Sequence, residues 1–399
     1  MPRQSMPSSP RYLLDRSTPC DSILTDPANG GWNAIIGSSA ILSLALLGDA
    51  LIYAVLPAYA EDFGLTLPWV GVMLSANRFV RVFAYGLIAR MTYTIGVRRM
   101  CVWATVFATL STTLYGFGQG PVIILIARLM WGLSYAALIL VTLVYSVGYR
   151  PQVGVRVGVS RAIQRVGPIL ALFIGAWLVG LVGPNNAFLI LAVPTALAIP
   201  IAMTLPRQHT SEERDKKPAS LARPKPIDIL FFLQGYGVDG AFAISITLIL
   251  ARDASLSVAV MGGGALLAMR HFGEAIAAPL FGWVADRYGA RRVFIGSGVL
   301  TVVGFVCVAA GYTVAGALVM LLFRGALASL GPAMIVQTIA IEDQAIGPLA
   351  RMQAWRDLGA ACGPLATGFL LAFVSAELQH GVVAVALTIG LIYWLRSKA

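Results

Sequence analysis

Charged side chains lie inside the long apolar segments of this chain, and their types could support chemistry. We call them the interior charges: Asp49, Arg78, Arg81, Arg128, Arg161, Arg165, Asp239, Arg270, His271, Glu274, Arg324, Arg356 and Asp357. A charge near mid-bilayer costs about 2.5 to 3.5 kcal/mol, so each needs a partner, a water-filled cavity or a function. Arginines outnumber carboxylates here, and the guanidinium fork fits carboxylate and phosphate oxygens. This predicts an electropositive cleft for an anionic ligand; the alternative is arginines that snorkel or pair with carboxylates and carbonyls.

The elements that must position these charges are membrane helices. Of 399 residues, 58% are hydrophobic and 12% are charged, against about 25% charged in an ordinary soluble domain. Windows of about 20 residues identify twelve apolar segments. They span residues 34–59, 67–89, 100–116, 121–147, 159–182, 187–205, 227–250, 258–283, 293–311, 313–338, 351–374 and 381–395. An all-α membrane protein with twelve transmembrane helices is therefore predicted.

The distribution of basic residues indicates topology rather than a nucleic-acid partner. The net charge is +11, but lysines and arginines gather on alternate loops, and the opposite loops hold little beyond Arg252. By the positive-inside rule, the basic loops and both termini are cytoplasmic. We expect a multi-pass protein in contact with the lipid bilayer of a bacterial inner membrane.

Internal similarity divides the chain into two halves. Landmarks recur at an offset of 196 residues, or 190 in the last case. The pairs are Gly86 and Gly282, Arg128 and Arg324, Gly167-Pro168 and Gly363-Pro364, and Asp49 and Asp239. The charged, proline-containing stretch 206–226 is typical of a flexible linker. We expect a cytoplasmic tail over 1–33, six-helix bundles over 34–205 and 227–399, and a cytoplasmic linker over 206–226.

The loop after the eighth apolar segment carries a charged turn bounded by glycines. Its pattern, G-x-x-x-D-R-x-G-x-R-R, consists of Gly282, Asp286, Arg287, Gly289, Arg291 and Arg292. The pattern resembles the loop motif of the major facilitator superfamily, secondary transporters with twelve helices. Glycines let helix ends approach, and the aspartate can cap a helix N-terminus or pair with arginines. We therefore predict a gate at the cytoplasmic side. Its first-half copy has Arg90 in place of the aspartate, which predicts an asymmetric gate.

The resemblance implies that helices 1, 4, 7 and 10 line a central cavity and that helices 3, 6, 9 and 12 face lipid. The latter four carry none of the interior charges. Arg128 resembles the arginine of the family's fourth-helix motif, which is implicated in proton coupling among antiporters. Asp49 is its expected partner, because the first and fourth helices are neighbours in that fold. Glu274 and Asp239 are further candidates for proton coupling.

Arg78 and Arg81 are three residues apart, so they share one helix face inside the bilayer. One candidate anion for them is Glu274, which the 196-residue offset places at the position equivalent to Arg78. The other candidate is the cargo itself. The predicted substrate-binding residues are Arg78, Arg81, Arg128, Arg324, Tyr135 and Tyr236.

Glycine-proline pairs occur in the fifth and eleventh helices. Small residues let helices pack backbone to backbone, and proline kinks them. We therefore assign Gly167, Pro168, Gly363 and Pro364 to helix packing. The fifth-helix pair is similar to the motif of drug:proton antiporters of twelve helices, although Ala171 replaces a glycine usually found there. This similarity favours export.

Other classes of protein are disfavoured. The chain has no G-x-x-x-x-G-K-S/T phosphate loop, no H-E-x-x-H and no G-x-S-x-G, and its four cysteines lack metal-ligand spacing. We expect no enzyme activity, cofactor or metal. The expected protein is a monomeric secondary transporter that exports a small anionic or amphiphilic solute, such as a drug or a metal chelator, coupled to protons by alternating access. The alternatives are uptake or exchange of an organic anion, and a membrane sensor of the same fold that transports nothing.

Overall fold

A computed structural model describes residues 31–148, 152–207, 223–250, 256–338 and 345–397. Within these ranges the chain is helical and forms no strand. Residues 1–30 of the expected tail over 1–33 and residues 208–222 of the expected linker over 206–226 lie outside the described residues.

Twelve helices, numbered in chain order, make up the described chain. The first half contains α1 (Trp32–Ala58), α2 (Leu67–Ile95), α3 (Val97–Phe117), α4 (Pro121–Val147), α5 (the consecutive segments Val153–Leu170, Ala171–Gly175 and Ala176–Val182) and α6 (Pro184–Thr204). The second half contains α7 (the consecutive segments Pro226–Gln234, Gly235–Ala241 and Phe242–Leu250), α8 (Leu256–Tyr288), α9 (Ala290–Ala309), α10 (Thr313–Thr338), α11 (Ile346–Leu370) and α12 (Ala376–Arg396). The predicted all-α fold with twelve helices is confirmed.

Several helices are longer than their apolar segments. The second was expected at 67–89 and ends at Ile95; the eighth was expected at 258–283 and ends at Tyr288. Both extensions carry polar or charged residues, which a hydropathy window excludes although helical hydrogen bonding continues through them.

Nine of the helices in the described ranges are long and apolar enough to cross a membrane by length and composition. The other three are α7, α8 and α11. They hold most of the interior charges of the second half, including Asp239, Glu274 and Asp357, and α7 is interrupted by a π-helical segment.

The two halves meet along two seams, where α2 packs against α11 and α5 packs against α8. Large apolar side chains are exposed along α3, α6, α9 and α12, for example at Trp103, Val193, Val306 and Val382. These are the helices that the sequence predicts against lipid. Most of the interior charges line the space between the halves, away from that outer surface.

Glycines permit close backbone contact within each half. A Cβ atom at Gly167 of α5 would overlap the carbonyl oxygen of Ser43 in α1. Cβ atoms at Gly359 and Gly363 of α11 would crowd backbone carbonyl oxygens of α7 in the same way. The first and fifth helices of each half are thus held together by equivalent contacts.

Both helices in which a π-helical segment occurs border the central space. In α5 this segment, Ala171–Gly175, follows Pro168, and the Gly167 amide donates to the Ser43 hydroxyl at 2.8 Å. In α7 it spans Gly235–Ala241 and contains Asp239. π-helical turns are frequent at functional sites. The two π-helical segments direct residues of α5 and α7 toward the same cavity.

Candidate functional site

A cavity of about 270 Å³ lies between the two halves. Six arginines and three aspartates are among its described lining residues. The arginines are Arg78, Arg81, Arg165, Arg270, Arg324 and Arg356, and the aspartates are Asp49, Asp239 and Asp357. With all nine groups ionised, the lining carries an excess of positive charge.

In the first half, Asp49 of α1 pairs with Arg128 of α4. Nη1 of Arg128 lies 2.6 Å from Oδ1 of Asp49, and Nε donates to the Met73 carbonyl at 3.0 Å. Asn77 of α2 is 3.5 Å from the same carboxylate. Asp49 lines the cavity, whereas Arg128 lies behind it with no exposed surface. The expected contact between these two residues is therefore present.

The second half repeats this pair with an added carboxylate. Nη2 of Arg324 in α10 is 2.7 Å from Oδ1 of Asp239 in α7, and its Nη1 is 2.7 Å from Glu274 of α8. Arg270 and Arg356 also lie 3.3 Å from oxygens of Asp239. Asp239 thus stands among three arginines, so its charge is over-compensated locally.

Two ion pairs cross between the halves in the described chain. Arg165 of α5 is 2.9 Å from Glu274 of α8, and Arg81 of α2 is 3.3 Å from Asp357 of α11. Tyr85 of α2 also donates to Asp357 at 2.8 Å. The Arg81 guanidinium stacks over the ring of Tyr135, 4.4 Å from its centroid. In both pairs the arginine belongs to the first half and the carboxylate to the second.

Glu274, one of the two candidate partners of Arg78, is not its partner. Both oxygens of Glu274 are bonded to Arg165 and Arg324, while Arg78 donates to the carbonyl of Ala360 in α11 at 2.8 Å. The repeat offset gives positions that are equivalent, not adjacent: α2 packs on α11, and α8 packs on α5. Among the described residues no carboxylate forms an ion pair with Arg78, which lines the cavity.

The remaining predicted site residues divide by exposure to the cavity. Arg128 and Glu274 are buried behind its wall. Tyr236 is not part of the wall; it stacks on Phe232, and its backbone packs on Gly363. A tyrosine on a cavity helix can point to a neighbouring helix, and sequence position alone does not distinguish the two orientations.

Other residues of the wall were not predicted as site residues. They include Tyr53, Asn77, Arg165, Arg270, His271, Arg356 and Asp357. The charged ones were recognisable as interior charges, so a rule that selects every such charge would have found them. Asn77 and Tyr53 gave no comparable signal, because neutral side chains are common in membrane helices. The described residues contain no group of three or more His, Cys, Asp and Glu placed to hold a metal ion.

The charged turn lies at the side of the molecule where α1 begins and α12 ends, called here the terminal face. Asp286 at the end of α8 accepts hydrogen bonds from the amides of Gly154 and Val155, at 2.9 and 2.8 Å. These amides belong to the first turn of α5, where backbone N–H groups have no helical acceptor. Glycine is required at the seam because a Cβ at Gly282 would overlap the Gly154 carbonyl.

The arginines of the turn lie against aromatic rings. The Arg287 guanidinium is 5.7 Å from the ring centroid of Trp283, and that of Arg291 is 5.8 Å from Trp394. Gly289 joins α8 to α9 with φ 96°, a left-handed conformation that favours glycine. In the first half, Gly96 takes this position with φ 86°. The first half therefore keeps the turn and lacks the carboxylate, since Arg90 stands at the place of Asp286.

The helices of the described chain surround a charged central cavity. The chain belongs to the Major Facilitator Superfamily, whose sequence profile matches residues 39–238 and 227–399. The profile identifies the superfamily and not the drug:proton antiporter type. Membership indicates a multi-pass membrane transporter rather than an enzyme.

Solved structures share this fold. The human organic anion transporter MFSD10 (TETRAN) superposes with a TM-score of 0.72 at 13% identity, covering 92% of this chain and 100% of that one. A variant of the E. coli fucose:proton symporter FucP gives a TM-score of 0.73 at 13% identity, covering 92% and 98%. No curated protein sequence matches the chain significantly. At this identity the structural matches show the fold alone; with the family they support secondary transport of a small molecule.

Proposed function

We propose that this protein transports a small organic anion across the membrane by alternating access, coupled to protons. The observation that carries the proposal is the cavity wall, with six arginines against three aspartates. Arginine in a poorly hydrated site binds carboxylate or phosphate oxygens through two parallel N–H donors. One structural neighbour is named an organic anion transporter, but at 13% identity the proposal rests on the wall residues.

Arg78 is the principal contact for the anion in this proposal. Its guanidinium lines the cavity and, within the described chain, has a backbone carbonyl as its only hydrogen-bond partner and no carboxylate. Arg81, held by the Tyr135 ring, and Arg324, behind Asp239, are the neighbouring donors. Exchanging one carbonyl for a charged cargo oxygen strengthens the bonds of Arg78.

In this proposal, protons are coupled to the cargo through the carboxylates that form ion pairs with the arginines. Asp49 faces the cavity in front of Arg128, and Asp239 faces it among Arg270, Arg324 and Arg356. Protonation of either aspartate removes one negative charge from the wall and frees a guanidinium for the anion. Glu274 has no contact with the cavity and takes its proton only after Arg165 or Arg324 has moved.

Export is the direction supported by the similarity of Gly167-Pro168 to the motif of drug:proton antiporters. Uptake is the second candidate, and the charge coupling favours it. Because protonation of Asp239 increases the positive charge that attracts the anion, proton and anion bind cooperatively and move in the same direction. An antiporter, which moves the proton and the anion in opposite directions, would need the two to compete for binding. The sensor remains the third candidate and would bind the anion without net flux.

A binding panel on purified protein tests the cargo class. Citrate, inorganic phosphate and benzoate are compared with glucose and choline as neutral and cationic controls, by the shift in thermal unfolding temperature. We expect the anions alone to stabilise the protein, and Arg78→Gln to weaken their binding about tenfold or more. The matched control is Arg99→Gln, which removes the same charge from an exposed position outside the cavity. Equal shifts with glucose or choline, or wild-type affinity in Arg78→Gln, would contradict the proposal.

Flux measurements then decide the direction. Proteoliposomes are loaded with the anion that binds best, and a pH gradient of either sign is imposed. Anion movement with the proton establishes uptake, and movement against it establishes export. Binding without flux under both gradients establishes the sensor.

A further inference from the structure

Two of the eight interior arginines have no carboxylate partner in the described chain. Arg81, Arg128, Arg165, Arg270, Arg324 and Arg356 each lie within 3.3 Å of a carboxylate oxygen. The two exceptions are Arg78 and Arg161. Arg78 lines the cavity, but Arg161 does not, although its side chain is buried between the halves.

Arg161 is a buried charge with few bonds. It is 2% exposed, its Nη1 reaches Oε1 of Gln164 only at 3.5 Å, and its Nε has no acceptor among the described residues. The amide of Gln164 donates to Ser160 at 2.9 Å, so this neighbour is engaged elsewhere. Burying a guanidinium without a counter-charge is strongly unfavourable. Such a residue fits a site that receives an anion in another state of the protein.

Arg161 lies nearer the terminal face than the cavity does. It is eight residues from the start of α5 at Val153, whereas Arg78 is seventeen residues from the end of α2 at Ile95. At 1.5 Å per residue these positions are about 12 Å and about 25 Å from the terminal face. The buried amide of Gln353, at a similar depth in α11, also lacks an acceptor in the described residues. Side chains with unused hydrogen-bond donors therefore lie between the cavity and the terminal face.

The seam of α5 and α8 separates Arg161 from the terminal face. Cβ atoms at Gly154 and Gly158 of α5 would overlap backbone oxygens of Gly282 and Ala278 in α8, so the helices are in contact there. Arg165, one turn further along α5 on the face that carries Arg161, lines the cavity and pairs with Glu274 of α8. Separation of α5 from α8 breaks this pair and opens a path to Arg161.

We propose that Arg161 is a second anion site, which binds the cargo's carboxylate, sulfate or phosphate group when the terminal face is open. The inference rests on the proposed function. Arg78 holds the anion in the state described here, and Arg161 holds it after α5 and α8 have separated. The cargo thus passes between two arginines about 13 Å apart in depth, and its charge is never without a guanidinium partner.

The test uses a variant that holds the terminal face open. A tryptophan at Gly282 cannot be accommodated against Gly154 in the closed seam, so Gly282→Trp favours the open state. The probe is inorganic sulfate, titrated calorimetrically into purified protein. We expect Gly282→Trp/Arg161→Gln to bind sulfate about tenfold or more weakly than Gly282→Trp, and Gly282→Trp/Arg161→Lys to retain most of the affinity. The loss of sulfate affinity caused by Arg161→Gln should be at least about fivefold smaller in the protein without the Gly282 substitution.

Equal affinity with and without Arg161 in the open variant, or no sulfate binding by that variant, overturns the inference. If Gly282→Trp does not fold, Asp286→Ala replaces it, because it removes the acceptor of the α5 amides. Failure of the proposed function is distinguishable: it appears as wild-type affinity in Arg78→Gln without any other substitution. The inference alone fails when Arg78→Gln weakens binding and the Arg161 comparison in the open variant shows no difference.

Discussion

Asp49 stands between the cavity and a fully buried arginine. Its carboxylate faces the cavity, while Arg128 behind it also bonds the Met73 carbonyl and remains anchored when the carboxylate is neutral. A proton arriving from the cavity therefore changes the charge of the wall without dislodging Arg128. This arrangement supports the proposed role of Asp49 in proton coupling.

The proposed role of Asp49 as a proton acceptor predicts a loss of proton-driven transport when its carboxylate is removed. We expect Asp49→Asn to reduce anion flux driven by an imposed pH gradient to less than about half that of the wild type, because asparagine takes up no proton. The measurement is gradient-driven flux in proteoliposomes. Glu61→Gln, an exposed carboxylate outside the cavity, is the control. Wild-type gradient-driven flux in Asp49→Asn would exclude Asp49 from proton coupling.

Tyr135 positions Arg81 by its ring rather than by its hydroxyl. The guanidinium lies 4.4 Å from the ring centroid. Tyr135→Phe keeps the ring and should leave citrate affinity within about twofold, whereas Tyr135→Leu should weaken it about fivefold. Titration of citrate into the two purified variants checks this. Equal losses in both would show that the hydroxyl, not the ring, matters.

At the scale of helices, the cap on α5 depends on a residue of the other half. Asp286 accepts two hydrogen bonds from backbone amides of α5, and we propose that these bonds hold the terminal face closed. Asp286→Asn removes the charge and one acceptor, so the open population should rise about tenfold, equivalent to about 1.4 kcal/mol.

Distances between spin labels at positions 152 and 288, in a chain with its native cysteines replaced by serine, measure this opening. The distribution should gain a longer component in Asp286→Asn and stay unchanged in Asp62→Asn, an exposed aspartate at the opposite face. An unchanged distribution in Asp286→Asn would show that the cap does not hold the seam.

The contact of α7 with α11 gives a matched pair of glycine substitutions. A Cβ at Gly363 would crowd the backbone of Tyr236 and Gly240, whereas one at Gly368 on the same helix meets no atom within 4 Å. We expect Gly363→Ala to lower stability by about 1 to 3 kcal/mol and Gly368→Ala to leave it unchanged or raise it, since alanine favours helix. Thermal unfolding in detergent compares them. Equal melting temperatures would show that α7 shifts to accept the methyl group.

Sequence reasoning recovered the helices and one class of contact. Twelve apolar segments predict twelve helices, and the ion pair of Asp49 with Arg128 follows from the resemblance to the superfamily, in which the first and fourth helices are neighbours. The partner of Arg78 could not be predicted, because the repeat defines equivalent positions and not which helices face each other across the seams. Asn77 was missed since a neutral amide leaves no mark in a hydropathy or charge pattern.

Considered as a whole molecule, the seam between the halves is chemically polarised. In the described chain, the hydrogen bonds that cross it have their donors in the first half and their acceptors in the second. They run from Arg78 to Ala360, from Tyr85 to Asp357, from Arg165 to Glu274, and from Gly154 and Val155 to Asp286. The interior charges follow the same division: five arginines and one carboxylate lie in the first half, and three of each lie in the second.

This polarity bears on the origin of the repeat. A symmetric homodimer contacts itself through identical patches. Two copies of the present first half would therefore place Arg81 opposite Arg161, which the 196-residue offset makes equivalent to Asp357. They would also place Arg165 opposite Arg78, which is equivalent to Glu274. Like charges would face each other along both seams. The present first half could not form these seams with a copy of itself, so any homodimeric ancestor of the repeat must have used different residues at its interface.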